Sequence, residues 1–169
     1  YFMWTFSTSP ILHNGNIILQ ILQRDTPVHQ FQRGGGKHSS FLLALSLSDG
    51  KEVYKAERPE QANAESKEAF STPVLYNFND KTQLLVTGGD CITGHDPSNG
   101  KELWRWGTWN PGHKEQWWRL VPSPAPGGGV VLACAPKNSP VYEHILPTGR
   151  CLLTHQMRVD GGWTSYCKR

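Results

Sequence analysis

The chain has 169 residues, 37% of them hydrophobic and 18% charged, a balance that fits a globular domain and excludes a disordered chain. Its formal net charge is +3, with Lys and Arg scattered along the sequence, which argues against nucleic acid as a partner. No apolar run approaches the roughly 20 residues that a membrane-spanning helix needs. The first residue is Tyr1 and no signal peptide is recognisable, so the sequence reads as processed, excised or part of a longer chain.

In chain order, a hydroxyl residue followed by proline opens three comparable stretches. The first is Thr8-Ser9-Pro10, followed by the β-branched run Ile17-Ile18-Leu19. The second is Ser71-Thr72-Pro73, followed by Leu84-Leu85-Val86. The third is Pro122-Ser123-Pro124, followed by Val130-Val131-Leu132. Proline at the first position of a strand removes no ladder hydrogen bond, which suits this place. A second element recurs later in each stretch. Ser46-Leu47-Ser48-Asp49-Gly50-Lys51 leads to Tyr54, Asp96-Pro97-Ser98-Asn99-Gly100-Lys101 leads to Trp104, and Pro147-Thr148-Gly149-Arg150 leads to Leu153. Each is a polar turn with Gly in the position that favours φ > 0, followed by an apolar strand residue.

The spacing predicts repeat units over 7-60, 70-109 and 119-155, with 156-169 an unassigned tail or the start of a further unit. Each unit reads as four short strands. The first leads with Pro, the second is β-branched, the third ends at the Gly turn and the fourth carries Tyr54, Trp104 or Leu153. Arg24 to Ser39 is a polar, Gly-rich insertion in the first unit, and Pro59 to Ala69 is a loop with room for one helical turn. Four strands per repeat of about 50 residues is the pattern of a propeller blade.

Several motifs fail. Cys91, Cys134, Cys151 and Cys167 include no Cys-x-x-Cys pair, which leaves zinc and thioredoxin-type chemistry without support. Their even number allows disulfides without requiring them. Gly34-Gly35-Gly36-Lys37-His38-Ser39 lacks the first Gly and the Ser or Thr of a phosphate loop, since Phe31 and His38 stand there. There is no Gly-x-Ser-x-Gly elbow. His95 and His144 precede their turn glycines at equal distance but lack partners at metal-ligand spacing, so both read as structural and no metal site is expected. Asp96 reads as a turn residue bonded to nearby backbone.

The stretch most suggestive of a site is Trp106 to Arg119. Trp106, Trp109, His113, Trp117, Trp118 and Arg119 combine flat aromatic faces with polar groups, a lining suited to a sugar or aromatic ligand. The same residues serve equally as packing between blades, with Arg119 stacked beside Trp118. No catalytic residue is identified.

The Gly turns resemble the repeat of the quinoprotein-type (PQQ-like) β-propellers, written A-x-D-x-x-T-G-K-x-x-W. Asp96, Gly100, Lys101 and Trp104 match its Asp, Gly, Lys and Trp, with Gly94 for Ala and Asn99 for Thr. Ala44, Gly50 and Lys51 match in the first unit, with Ser46 for Asp and Tyr54 for Trp, while the third keeps Gly149 alone. The resemblance, over roughly residues 5 to 155, implies an all-β propeller of about three blades that belongs to a larger propeller or closes by self-association. It implies a non-catalytic scaffold or binding module, without cofactor, that presents blade loops to a protein or carbohydrate ligand in the bacterial periplasm or outside the cell. The alternative is a fragment of a PQQ- and Ca²⁺-dependent alcohol or sugar dehydrogenase, although no adjacent cysteine pair is present. A kelch-type repeat is a third reading, from Gly88-Gly89 before Trp104, and that double Gly does not recur at the equivalent place in the other two units.

Overall fold

The computed structural model describes residues 7–24, 38–78, 80–107, 110–127, 130–133, 153–157 and 163–166. The described residues are all-β apart from two short 3-10 turns, Ala64–Lys67 and Pro111–His113. The first of these lies within Pro59 to Ala69, the stretch read from the sequence as a loop with room for one helical turn.

Three antiparallel sheets follow one another, each a meander with its strands in chain order, and none closes on itself. The first holds β1 (Ile11–His13), β2 (Asn16–Ile21), β3 (Phe41–Ser46) and β4 (Glu52–Glu57). The second holds β5 (Val74–Phe78), β6 (Lys81–Gly88), β7 (Cys91–His95) and β8 (Glu102–Trp106). The third holds β9 (Ala125–Gly127), β10 (Val130–Ala133), β11 (Leu153–Met157) and β12 (Trp163–Tyr166). In this third sheet the structure departs from the expected strand order. Leu153 opens the third strand, and the fourth lies in the stretch left as a tail. The sequence offers Gly turns at Gly149 and at Gly161-Gly162, and only the second is followed directly by an aromatic residue, Trp163.

The β3–β4 and β7–β8 hairpins are built alike, fifty residues apart. Ala44 pairs with Tyr54 and Gly94 with Trp104, and in each hairpin the register shifts at the next residue. The residues these bulges leave over, Val53 and Leu103, are 47% and 49% exposed. In one turn Gly50 N–H donates to Ser46 O and Ser46 N–H to Lys51 O, both at 2.9 Å. In the other Gly100 N–H donates to Asp96 O at 2.8 Å and Asp96 N–H to Lys101 O at 2.9 Å. Ser46 and Asp96 each accept from the backbone N–H two residues on, the local bond by which such side chains favour turns.

Residues opposite one another on antiparallel strands share a face, so the pairings fix what each sheet presents. On one face of the first sheet lie Ile18, Ala44 and Leu42, all fully buried, with Tyr54 and Ala56 beside them. This face packs on the second sheet. Tyr54 and Ala56 lie against the Gly100 turn, and Tyr54 Oη donates to Pro97 O at 3.3 Å. Arg58, wholly buried just beyond β4, donates to Thr93 Oγ1 at 2.9 Å and Gly88 O at 3.0 Å. Most of β6 and all of β7 are buried, and Val131 and Ala133 of the third sheet join the same core cluster.

The hydroxyl-proline openings of the three stretches bond to one another. Ser9 N–H donates to Thr72 Oγ1 at 3.2 Å, and Thr72 N–H donates to Ser123 Oγ at 2.8 Å. The backbone N–H of the residue before each of the first two prolines is thus met by a hydroxyl of the next sheet.

The other face of the first sheet is different. Leu12, Ile17 and Leu45 form one row, Leu19 and Leu43 a second, and Ile21 and Phe41 a third. None of these seven is buried, and Leu12 is 65% exposed.

Gly50 and Gly100 provide a paired test of the stacking. Both have positive φ (70° and 75°), so alanine strains either backbone by about 1 kcal/mol. A Cβ at Gly50 meets nothing within 4 Å, whereas at Gly100 it meets the Ala56 methyl at 2.5 Å and the Tyr54 ring at 2.7 Å. Gly100→Ala should therefore destabilise by about 2 kcal/mol more than Gly50→Ala in urea unfolding, the usual cost of overpacking. Equal losses would contradict the packing of β4 on this turn.

Candidate functional site

The segment between the second and third sheets is tied down along its length. Asn63 Nδ2 donates to His113 O at 2.7 Å, Ser66 Oγ donates to Glu115 O at 2.8 Å, and Trp118 N–H donates to Ser66 Oγ at 2.9 Å. Further on, Phe70 N–H donates to Leu120 O at 2.8 Å and Ala69 bridges Leu120.

Beneath this loop lies a charged cluster. Glu68 accepts from Arg24 Nε at 2.6 Å and from Arg24 Nη2 at 2.8 Å. It also accepts from Arg119 Nε at 2.9 Å and from Arg119 Nη2. Glu65 stands 3.2 Å from both guanidinium groups. Arg119 lies over the Phe70 ring at 4.7 Å rather than beside Trp118. One carboxylate thus links an arginine after β2 with an arginine before β9, and the cluster is structural.

The described residues of the expected set take different places. Trp106 packs against the core from β8, and Trp118 and Arg119 belong to the anchored segment. Trp117 projects from it, 65% exposed. Trp109 lies outside the described residues, as do His144, Cys134, Cys151, Cys167 and residues 25–37 of the insertion. His95 is buried and bonded to Gly100 O at 2.9 Å and Thr93 Oγ1 at 2.8 Å. Burial pushes its pKa down to about 4, so it is neutral and structural. The Asp96 carboxyl is held below its usual range by hydrogen bonds from the Ser98 hydroxyl and backbone, as befits a turn residue.

His113 of the expected set lines a cleft. An open cleft of about 520 Å³ lies where the end of β4, the β6–β7 turn and β8 meet. Its lining includes Glu60, Gln61, Asp90, Cys91, Arg105 and His113. Asp90 is 3% exposed and its Oδ2 accepts from Asn110 Nδ2 at 2.7 Å. His113 Nδ1 is 2.9 Å from the same oxygen and its Nε2 is 3.1 Å from Gln61 Oε1. Among the described residues, Asp90 Oδ1 is buried without a partner. Desolvation raises the Asp90 pKa against the pull of His113 and Asn110. Cys91, free and buried, has its Sγ 3.2 Å from Arg58 Nη2 and 3.4 Å from Arg105 Nη1. Glu60 accepts from Ser40 Oγ at 2.8 Å and stands 3.5 Å from Arg58. Burial pushes its pKa up to about 7 despite Arg58 and Ser40.

Reading the sequence did not find this cleft. Asp90 and Glu60 stand outside every recurring motif, and only the folding of β4 against the β6–β7 turn brings them together. Among the described residues, no group of three or more His, Cys, Asp or Glu side chains is placed to hold a metal, and no helix is long and apolar enough to cross a membrane.

A scan against protein-family models matches none of them, and a search of curated proteins finds no match.

The Glu60 environment has a consequence for stability. The carboxyl ionises near 4.5 when unfolded and near 7 when folded. Between those values the folded state holds the extra proton, so stability falls as pH rises through the window. Glu60→Gln removes that loss. Its stability relative to the parent chain should improve by roughly 3 kcal/mol at most between about pH 4.5 and pH 8, measured by urea unfolding at each pH. A pH-independent difference would contradict the assignment.

Proposed function

We propose that the chain is a non-catalytic, propeller-type scaffold that binds a protein or carbohydrate ligand outside the cytoplasm through the segment between its second and third sheets. The observation that carries this is the like-built stacking of the sheets. Equivalent turns take the same hydrogen bonds, and Ser9, Thr72 and Ser123 bond one to the next. Such a stack holds inter-sheet loops in fixed positions, which is how rigid scaffolds present binding residues. Here the anchored segment offers Trp117 and Val121, 65% and 61% exposed. A flat indole on a fixed backbone is the kind of surface on which a sugar ring or an apolar side chain docks. The resemblance of the Gly turns to the PQQ-like repeat agrees with this reading, and the placement outside the cytoplasm rests on that resemblance alone.

The test is tryptophan-fluorescence titration against a panel of neutral oligosaccharides, with partner proteins captured and identified in parallel. Trp117→Ala should weaken retention at least tenfold and leave the melting temperature unchanged, since the side chain is exposed. Dye reduction by the chain supplied with PQQ, Ca²⁺ and an alcohol or sugar would contradict the non-catalytic reading. Unchanged retention by Trp117→Ala would remove the loop from it.

A further inference from the structure

The polar groups of the cleft beside the β6–β7 turn are unevenly matched. The carboxylates of Glu57, Glu60, Asp90 and Glu102 line it, against the guanidinium of Arg105 and the imidazole of His113. Glu102 is taken up by Arg105, whose Nε and Nη2 donate to it at 2.8 Å and 2.6 Å. Asp90 Oδ2 is taken up by Asn110 and His113. Asp90 Oδ1 belongs to a side chain 1% exposed and, among the described residues, meets no donor. Glu60, with a side chain 4% exposed, meets Ser40 through Oε1, while its Oε2 has Arg58 Nη1 at 3.5 Å, the outer limit of a hydrogen bond. Glu57 adds its charge from the exposed end of β4.

A carboxylate oxygen buried without a donor is costly, and a group from outside the chain is one of the few things that completes it. Burial also raises the pKa of both carboxyls, against Arg58, Ser40, Lys67 and Arg105 at Glu60 and against His113 and Asn110 at Asp90. Each carboxyl is thus short of a donor or positive charge that would restore its ionised form. The completing group carries positive charge, because carboxylates outnumber cations along the cleft, and it carries N–H, because the unmet atoms are acceptors. A volume of about 520 Å³ lies within the range of small-ligand sites. Among the described residues no set of three or more His, Cys, Asp or Glu is placed to hold a metal ion, so an organic cation fits better than a metal. We infer that the cleft is a binding site for an alkylammonium or guanidinium group, seated between Glu60 and Asp90. A lysine or arginine side chain of a protein partner and a free amine present the same head. The site is independent of Trp117 and survives the loss of that reading.

The test is an amide NMR titration of the full chain at constant ionic strength and about pH 8, where Glu60 is charged. The probes are n-butylamine, a free amine, and Nα-acetyl-lysine methylamide, a capped side chain, with tetramethylammonium as a cation that has no N–H. Both N–H cations should give saturable shifts at Gly89, Asp90, Cys91 and Gly107, with half-saturation at or below about 1 mM. Tetramethylammonium should give none. Tighter binding of the capped lysine marks a protein side chain as the source, and tighter binding of butylamine marks a free amine. Asp90→Asn keeps the shape of the side chain and suits the φ of 63° at this turn, and it should weaken binding about tenfold or more. Glu60→Gln, which is expected to gain stability, should weaken it by a similar factor and stands in where Asp90→Asn does not fold. Glu52→Gln removes the same charge at the other end of β4 and should bind as the parent chain does. Absence of saturable shifts, an equal response to tetramethylammonium, undiminished binding by both cleft variants, or an equal loss in Glu52→Gln would each overturn the inference.

Discussion

The architecture depends on the contact between the first and second sheets. Tyr54 and Ala56 lie on a turn that only glycine leaves open, and Arg58 is inserted, wholly buried, among the ends of β6 and β7. Tyr54 is partly buried, and its ring supplies apolar contact between the sheets. The buried guanidinium adds specificity of another kind. Its donors are taken up by Thr93 Oγ1, Gly88 O, Cys91 and Glu60, and any sideways slip of one sheet on the other would leave them without acceptors. Apolar packing brings the sheets together, and the arginine sets their register.

The same contact creates the cleft. Arg58 directs the chain after β4 across the β6–β7 turn, and Glu60 then lies over Gly89, whose missing side chain leaves room for the carboxyl. Asp90, Asn110 and His113 close the far side. The perturbed carboxyls are thus by-products of sheet stacking as much as features of a site, and the cleft's polar lining contrasts with the exposed indole of Trp117 on the anchored segment.

Much of this arrangement was legible in the sequence. The strands of the first two sheets follow from Pro-led openings, apolar runs and Gly turns, and Asp96 and Ser46 are turn residues because their short side chains reach the backbone two residues on. The third sheet was misread because Gly149 offers a turn with no aromatic after it, while Trp163 follows a second pair of glycines. The aromatic segment was legible as unusual, but not its division into Trp106 on the core, Arg119 in a carboxylate cluster and Trp117 in solvent. That division depends on Glu65, Glu68 and Phe70, which come from a different part of the chain. The hydroxyl-proline openings were visible as a recurrence, whereas their bonds to one another are a property of the stack and have no local signal.

The first sheet rests on the second with Tyr54 and Ala56 against the Gly100 turn. The most direct measurement is an NMR spectrum of the chain with its Tyr54 and Gly100 resonances assigned. Nuclear Overhauser contacts are expected between the Tyr54 ring and the Gly100 α-protons, with those protons displaced by the ring current. Random-coil Gly100 shifts without a contact to Tyr54 would show that the first sheet does not rest on the second, and the stacked arrangement would be wrong.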